Sequence, residues 1–160
     1  MNMEEPAKRI SKKALKVWRI SGSISSVFLW LLVIGAGVFI VIKQWPLWIL
    51  FLLVAVGVLE VLTVVMALPN MRWKRWRYEV REQEIELQRG VFVVRRTLIP
   101  MTRVQHVDTE QGPLLRKYGL GAIKISTAAT IHEIPAVEME EAEEMRRVIS
   151  ALARVAEEDV

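Results

Sequence analysis

Two apolar stretches lie back to back near the N-terminus, and they constrain this chain more than any other feature. Residues 20–42 carry no charge, and residues 45–68 carry one, on Glu60. As α-helices the runs would be about 34 and 36 Å long, enough to cross a hydrocarbon layer of about 30 Å. Two adjacent runs of this length are rare as core helices of a water-soluble domain. Only Lys43 and Gln44 separate them, which predicts a tight antiparallel hairpin. Pro46 fits the first turn of the second helix, where a missing N–H leaves nothing unpaired. The first run is too long for the apolar part of a cleaved signal peptide, and a second span follows it in place of a cleavage site.

The positive charges give the hairpin an expected orientation. Lys8, Arg9, Lys12, Lys13, Lys16 and Arg19 precede it; Arg72, Lys74, Arg75 and Arg77 follow it; the tip has Lys43 alone. The excess of Lys and Arg beside the outer ends of the spans predicts a two-span protein of the cell membrane with both termini in the cytoplasm. Trp18, Trp45, Trp48, Trp73 and Trp76 fall near the expected helix ends, as an interfacial aromatic belt would place them, whereas Trp30 falls near mid-span.

The formal charge of +4 divides unevenly. Residues 1–19 carry all of it, while residues 71–160 hold fifteen cations and fifteen acids. A nucleic-acid-binding protein needs a basic face on a folded domain, so no nucleic-acid partner is expected. Topology and contact with anionic lipid account for the basic arm, which reads as a lead-in to the first span or a short amphipathic surface helix. The sequence thus divides into an arm (residues 1–19), a transmembrane hairpin (20–70, with spans 20–42 and 45–68) and a cytoplasmic domain (71–160).

That domain reads as strands followed by one helix. Short strands are expected over residues 78–80, 84–88, 91–99, 104–109, 122–126 and 130–134, with Ile85 and Leu87, and again Ile123 and Ile125, on one face. Residues 113–118 form a short helix started by Pro113 and capped by Gly119. From Val137 to Ala156, apolar side chains at three- and four-residue intervals predict an amphipathic helix that covers an open face of the sheet.

Several antiparallel strands closed by a C-terminal helix is the layout of pleckstrin-homology-like domains, and the residues sharpen the likeness. Residues 89–128 contain Ile99-Pro100, Arg103-Val104-Gln105 with Val107, Gln111-Gly112-Pro113 with Arg116, Gly119-Leu120 and Thr127. This succession resembles the core of the bacterial pleckstrin-homology family often called YdbS-like, whose members also carry two spans directly upstream. The resemblance implies an α+β chain: a transmembrane helical hairpin followed by an antiparallel β barrel or sandwich capped by a C-terminal α-helix. It implies a non-enzymatic interaction or scaffolding module anchored in the membrane. Assembly with itself or with a larger protein carrying similar domains is a further implication, with proposed roles in envelope stress or resistance to membrane-active peptides.

The residues themselves offer few catalytic options. With no cysteine and only His106 and His132, disulfides, thiolate nucleophiles and clustered-ligand metal sites drop out. No catalytic, cofactor or metal residues are expected. Gly119-Leu120-Gly121 is a turn, since no Lys-Ser/Thr follows it. Specific phosphoinositide binding is disfavoured, because Glu79, Glu82, Glu84 and Glu86 would repel an anionic headgroup. Arg103, Gln105 and Arg116 form the candidate interaction surface, since a guanidinium fork suits carboxylate, phosphate or backbone carbonyls; Asp108 and Glu110 are the acids that would otherwise neutralise the two arginines. Glu60 is the other candidate, because an acid inside a span is costly and often functional. It is expected either to hydrogen-bond a neighbouring Ser, Thr or backbone group, or to serve a small transporter or channel subunit.

Overall fold

The structure, a computed structural model, describes residues 5–158. It divides into two compact units. Leu15–Met71 form a helical hairpin, and the segment up to Ala14 joins the chain from Arg72 onward to form a head.

In the hairpin, α1 (Lys13–Ile42) is followed by a continuous helical run made of α2 (Trp48–Val61), a π-helical segment (Leu62–Ala67) and α3 (Leu68–Arg75). Both runs are long and apolar enough to cross a membrane. Their large apolar side chains are bare: Phe28 is 66% exposed, Leu32 71% and Phe51 74%. A core helix of a soluble protein would bury them.

The connection ends α1 with a Schellman turn. Trp45 N–H donates to the Ile40 carbonyl and Gln44 N–H to the Val41 carbonyl, while Gln44 takes a left-handed φ of 54°. The second helix begins at Trp48 rather than at Pro46, which lies just before the capping residue Leu47. Its far end also differs from expectation. The helix does not stop at Leu68 but runs through Pro69 to Arg75. Proline inside a helix clashes with the carbonyl four residues back and offers that carbonyl no N–H. The π-helical segment, which ends at Ala67 and contains Val65 four residues before Pro69, widens the turn where that clash would fall.

The head contains two antiparallel sheets and a closing helix. One sheet has the order β1-β2-β3-β4, from β1 (Lys8–Arg9), β2 (Arg77–Val80), β3 (Glu84–Arg89) and β4 (Arg95–Pro100). The other has the order β5-β6-β7, from β5 (Val104–Glu110), β6 (Leu120–Thr127) and β7 (Ile131–Glu138). A 3-10 turn (Met101–Arg103) joins the sheets, α4 (Pro113–Lys117) follows β5, and α5 (Met139–Glu158) ends the described chain. This is the α+β architecture expected, with Pro113 at the start of α4 and Gly119 in a left-handed conformation after its end.

The core consists of Tyr78, Ile85, Leu87, Ile99, Met101, Ile123, Ile125, Ile134 and Val137 from the sheets, closed by Ala142, Met145 and Ile149 of α5. Gly121 makes that closure possible, since a Cβ there would lie 2.9 Å from the Met139 sulfur and 3.6 Å from the Ala142 methyl. Val148 and Val155, expected on the same stripe, are 44% and 57% exposed.

Three stretches depart from the sequence reading. The arm is neither a helix nor a loose lead-in at its start, because β1 pairs with β2 in register Lys8↔Tyr78 and Arg9↔Arg77. Ser11 N–H then donates to the Ala136 carbonyl of β7. The arm therefore ties one sheet to the other, with its own Pro6 and Ile10 buried, and the hairpin is an insertion between two paired strands. Next, β7 does not end before Pro135 but continues to Glu138. It passes the proline where the register with β6 shifts, with Ala136 at φ 53°; β7 is an edge strand, the place in a sheet that tolerates a missing N–H. Finally, residues 91–94 are a loop and only Arg95–Pro100 form β4.

Two tryptophans that follow the second span are held by residues of the head. Trp76, the single residue between α3 and β2, is buried at 4% exposure. Trp73 donates its indole N–H to the Ile10 carbonyl at 3.2 Å, with Arg9 over its ring.

Candidate functional site

Glu60 sits on the seam where the two helices of the hairpin pack. The contacts along this seam retreat on one helix as they advance on the other. A Cβ on Gly22 would lie 3.2 Å from the Val64 carbonyl, one on Gly57 3.1 Å from the Trp30 ring, and one on Gly37 3.1 Å from Leu50. Gly22 thus lets the backbones approach, while Gly57 and Gly37 make room for the Trp30 ring at mid-span and for Leu50. Gly35, by contrast, faces open space.

Between Gly22 and Trp30 on the seam, Ser26 donates its hydroxyl to Glu60 Oε1 at 3.1 Å. Of the two expectations for Glu60, this is the hydrogen bond to a neighbouring hydroxyl. It leaves Glu60 Oε2 buried without a partner among the described residues. One turn later Thr63 donates to the Leu59 and Glu60 carbonyls, where the π-helical segment begins.

In the head, Arg103 and Gln105 come together. They line an open groove of about 420 Å³ with Leu98, Thr102, Thr130 and His132. The local geometry follows from the register of β5. Val104 faces Thr127 and His106 faces Ser126, so Gln105 is the extra residue of a bulge. A bulge re-aims its side chain and kinks the strand, and that turns Gln105 toward the groove. Arg116 is not part of it. It lies in α4, beyond the other end of β5, and seven strand residues separate the two ends by about 20 Å.

The acids that would have neutralised these arginines are engaged elsewhere. Asp108 pairs with His106 at 3.0 Å and Glu110 with Lys124 at 2.7 Å. Glu110 accordingly holds Lys124 above its usual range. His132 is held below its usual range, first by partial burial and then by the nearby positive charge of Arg89. At neutral pH it therefore offers the groove an uncharged imidazole beside cationic neighbours.

Leu98 on β4 and His132 on β7, with Thr130 just before β7, reach the groove from edge strands of different sheets. No linear motif announces that. The bulge at Gln105 is likewise invisible in a stretch that alternates weakly. A second opening, between β1, β2 and α5, is lined by Lys8, Tyr78 and Glu141. There the Tyr78 hydroxyl donates to Glu141 at 3.1 Å and Lys8 pairs with the same carboxylate at 2.9 Å. Burial, then the Glu141 charge, raises the Tyr78 phenol well above its usual range, so it stays protonated.

A family model for the bacterial PH domain matches residues 24–153, which takes in most of the hairpin and nearly all of the head. The UPF0699 transmembrane protein YdbS of Bacillus subtilis (strain 168) is 53% identical over 157 residues, covering 98% of this chain and 99% of that protein. The UPF0699 transmembrane protein YdbT of the same strain is 28% identical over 100 residues, covering 60% of this chain but only 20% of that longer protein. No solved structure matches the chain. Two lipid-compatible helices in a hairpin, a head of two antiparallel sheets closed by a C-terminal helix, and a match over most of the sequence lead to one conclusion: the chain is a membrane protein of the bacterial PH domain family.

Proposed function

We propose that this protein is a non-enzymatic interaction module anchored in the cell membrane, with both termini in the cytoplasm, and that the groove at Arg103 and Gln105 receives a partner protein. The observation that carries the reading is the pairing of an exposed Arg103, without an acidic partner among the described residues, with the bulged Gln105 on the rim of an open groove. A guanidinium fork beside an amide suits the carbonyls and carboxylates of a polypeptide segment. The match to the bacterial PH domain family, which is not a known enzyme family, supports the non-enzymatic reading. A longer protein carrying a similar segment exists beside the short relative in one bacterium, which favours assembly between a short and a long member or between two short copies. Envelope stress and resistance to membrane-active peptides are the settings in which such an assembly would act.

The arrangement of the arm supports the sidedness. Because β1 and β2 pair across the insertion, the chain must leave and re-enter on one side of the bilayer, as an even number of spans requires. The excess of Lys and Arg there favours the cytoplasm. The test is a photo-crosslinking residue at Gln105, in membranes that also contain a longer family member. A crosslink that Arg103→Glu removes is expected. A monomer in native mass measurements, with no crosslink to either partner, contradicts the reading.

One observation favours a second reading. The unpartnered Glu60 Oε2 lies next to a π-helical segment, a feature frequent at functional sites, and so Glu60 could serve a small transporter or channel subunit. That reading requires a proton or ion flux in liposomes that Glu60→Gln alters; no flux in either form removes it.

A further inference from the structure

The loop between β3 and β4 is built unlike the rest of the head. Phe92 is 86% exposed and Val93 71%, beside Val94 at 39%. The loop is not slack. Gly90 has φ +131°, and a Cβ there would lie 1.9 Å from the Val93 carbonyl. The turn is therefore closed tightly on itself with its apolar side chains outward.

The charges around the loop are as one-sided as its tip. Arg89 and Arg95 are direct cross-strand partners at its base, a like-charge juxtaposition that destabilises a sheet. Neither has an acidic partner among the described residues, whereas Arg96 beside them is hydrogen-bonded to Gln88 and lies 4.0 Å from Glu86. Between Leu87 and Val107 the sequence has four arginines and no acid. The acids of this sheet gather at the opposite end of β3, where Glu79, Glu84 and Glu86 surround Arg81. The repulsion that argues against an anionic ligand at the β2–β3 turn is thus absent at the β3–β4 loop.

An exposed apolar tip above two unneutralised arginines has the make-up of a surface that enters the headgroup layer of an anionic bilayer. We propose that the β3–β4 loop docks the head onto anionic phospholipid, with Phe92 and Val93 among the acyl chains and Arg89 and Arg95 on the phosphates. The head is tethered covalently to both helical runs of the hairpin, since three residues separate β1 from α1 and Trp76 alone separates α3 from β2. This docking stands apart from the partner groove at Arg103 and does not depend on it.

The test uses the full chain, one copy per nanodisc, so no protein partner is needed. The natural sequence has no cysteine, and Phe92→Cys therefore carries a single spin label; Glu143→Cys on α5 is the control. In discs containing phosphatidylglycerol the label at position 92 should become accessible to oxygen and shielded from a water-soluble nickel chelate, while the control stays aqueous. In phosphatidylcholine alone it should be shielded much less. Arg89→Gln with Arg95→Gln should lower the docked-to-free ratio by roughly 25-fold, at about fivefold for each cation near the anionic surface. A label at position 92 that stays open to the chelate in both lipids overturns the proposal. Shielding that ignores lipid charge and the arginine substitutions also overturns it, and assigns the loop to a protein contact.

Discussion

Ser26 and Glu60 make a hydrogen bond across the apolar stretch of the hairpin seam, while Arg19 donates to the Asn70 side chain at 3.2 Å toward its open end. Hydrogen bonds between membrane helices average about 0.6 kcal/mol, so Ser26→Ala should weaken the hairpin by about that much in a reversible detergent titration, and Glu60→Gln, which keeps an acceptor, by less. Equal losses from the two would show that the carboxylate itself carries the contact. Glu138 supplies a second polar clasp, accepting from the Ser11 hydroxyl at 2.8 Å and the Lys13 ammonium at 2.9 Å. These donors, Lys13 first, hold its carboxyl below the ordinary value of 4.5. A carboxyl lowered by folding stabilises the fold above its ordinary pKa and loses that contribution as pH falls through the lowered value. Glu138→Gln should therefore reduce stability at pH 7 and flatten the acid limb below about pH 4.5. A variant whose acid limb matches the parent would remove the clasp from the account.

The arm illustrates what the sequence concealed. Its lysines read as a topology signal, and the segment is too short and too charged to show strand alternation. Its role rests on long-range pairing with β2 and β7, which local patterns cannot reveal. Ile10, buried at 2% exposure, is the residue to test. Ile10→Ala should cost about 2–4 kcal/mol, read as a lower melting temperature of the tryptophan signal in detergent; a loss under about 0.5 kcal/mol would mean the arm is dispensable. Elements with a strong local signal were legible: both spans by their unbroken apolar length, β3 by its alternation with Ile85 and Leu87 inward, α4 by Pro113 and Gly119 at its ends, and the buried face of α5 by its helical period. The stretch at residues 91–94 was not, because four consecutive apolar residues carry no period to tell a strand from an exposed loop. The continuation past Pro69 and past Pro135 was missed for a related reason. Proline breaks regular structure by default, and only a π-helical turn in one case and a register shift on an edge strand in the other allow the chain to continue. Of the candidate residues, Arg103 and Gln105 stand together because a bulge turns one of them, while Arg116 stands apart because a strand separates it from them.

The molecule that results is a folded head interrupted by its own membrane anchor. β1 lies before the hairpin, β2 lies after it, and the two pair, so the head closes only after both spans have been made. This ties folding of the head to insertion of the hairpin and demands that both ends of the hairpin face the same compartment. The absence of native cysteine allows a clean measurement of that arrangement. Lys43→Cys at the hairpin tip and Glu133→Cys on β7 are each exposed to a membrane-impermeant maleimide, in intact cells and after permeabilisation. The account predicts labelling of position 43 in intact cells and of position 133 only once the membrane is opened. Labelling of position 133 from outside, or protection of position 43 until permeabilisation, would contradict it.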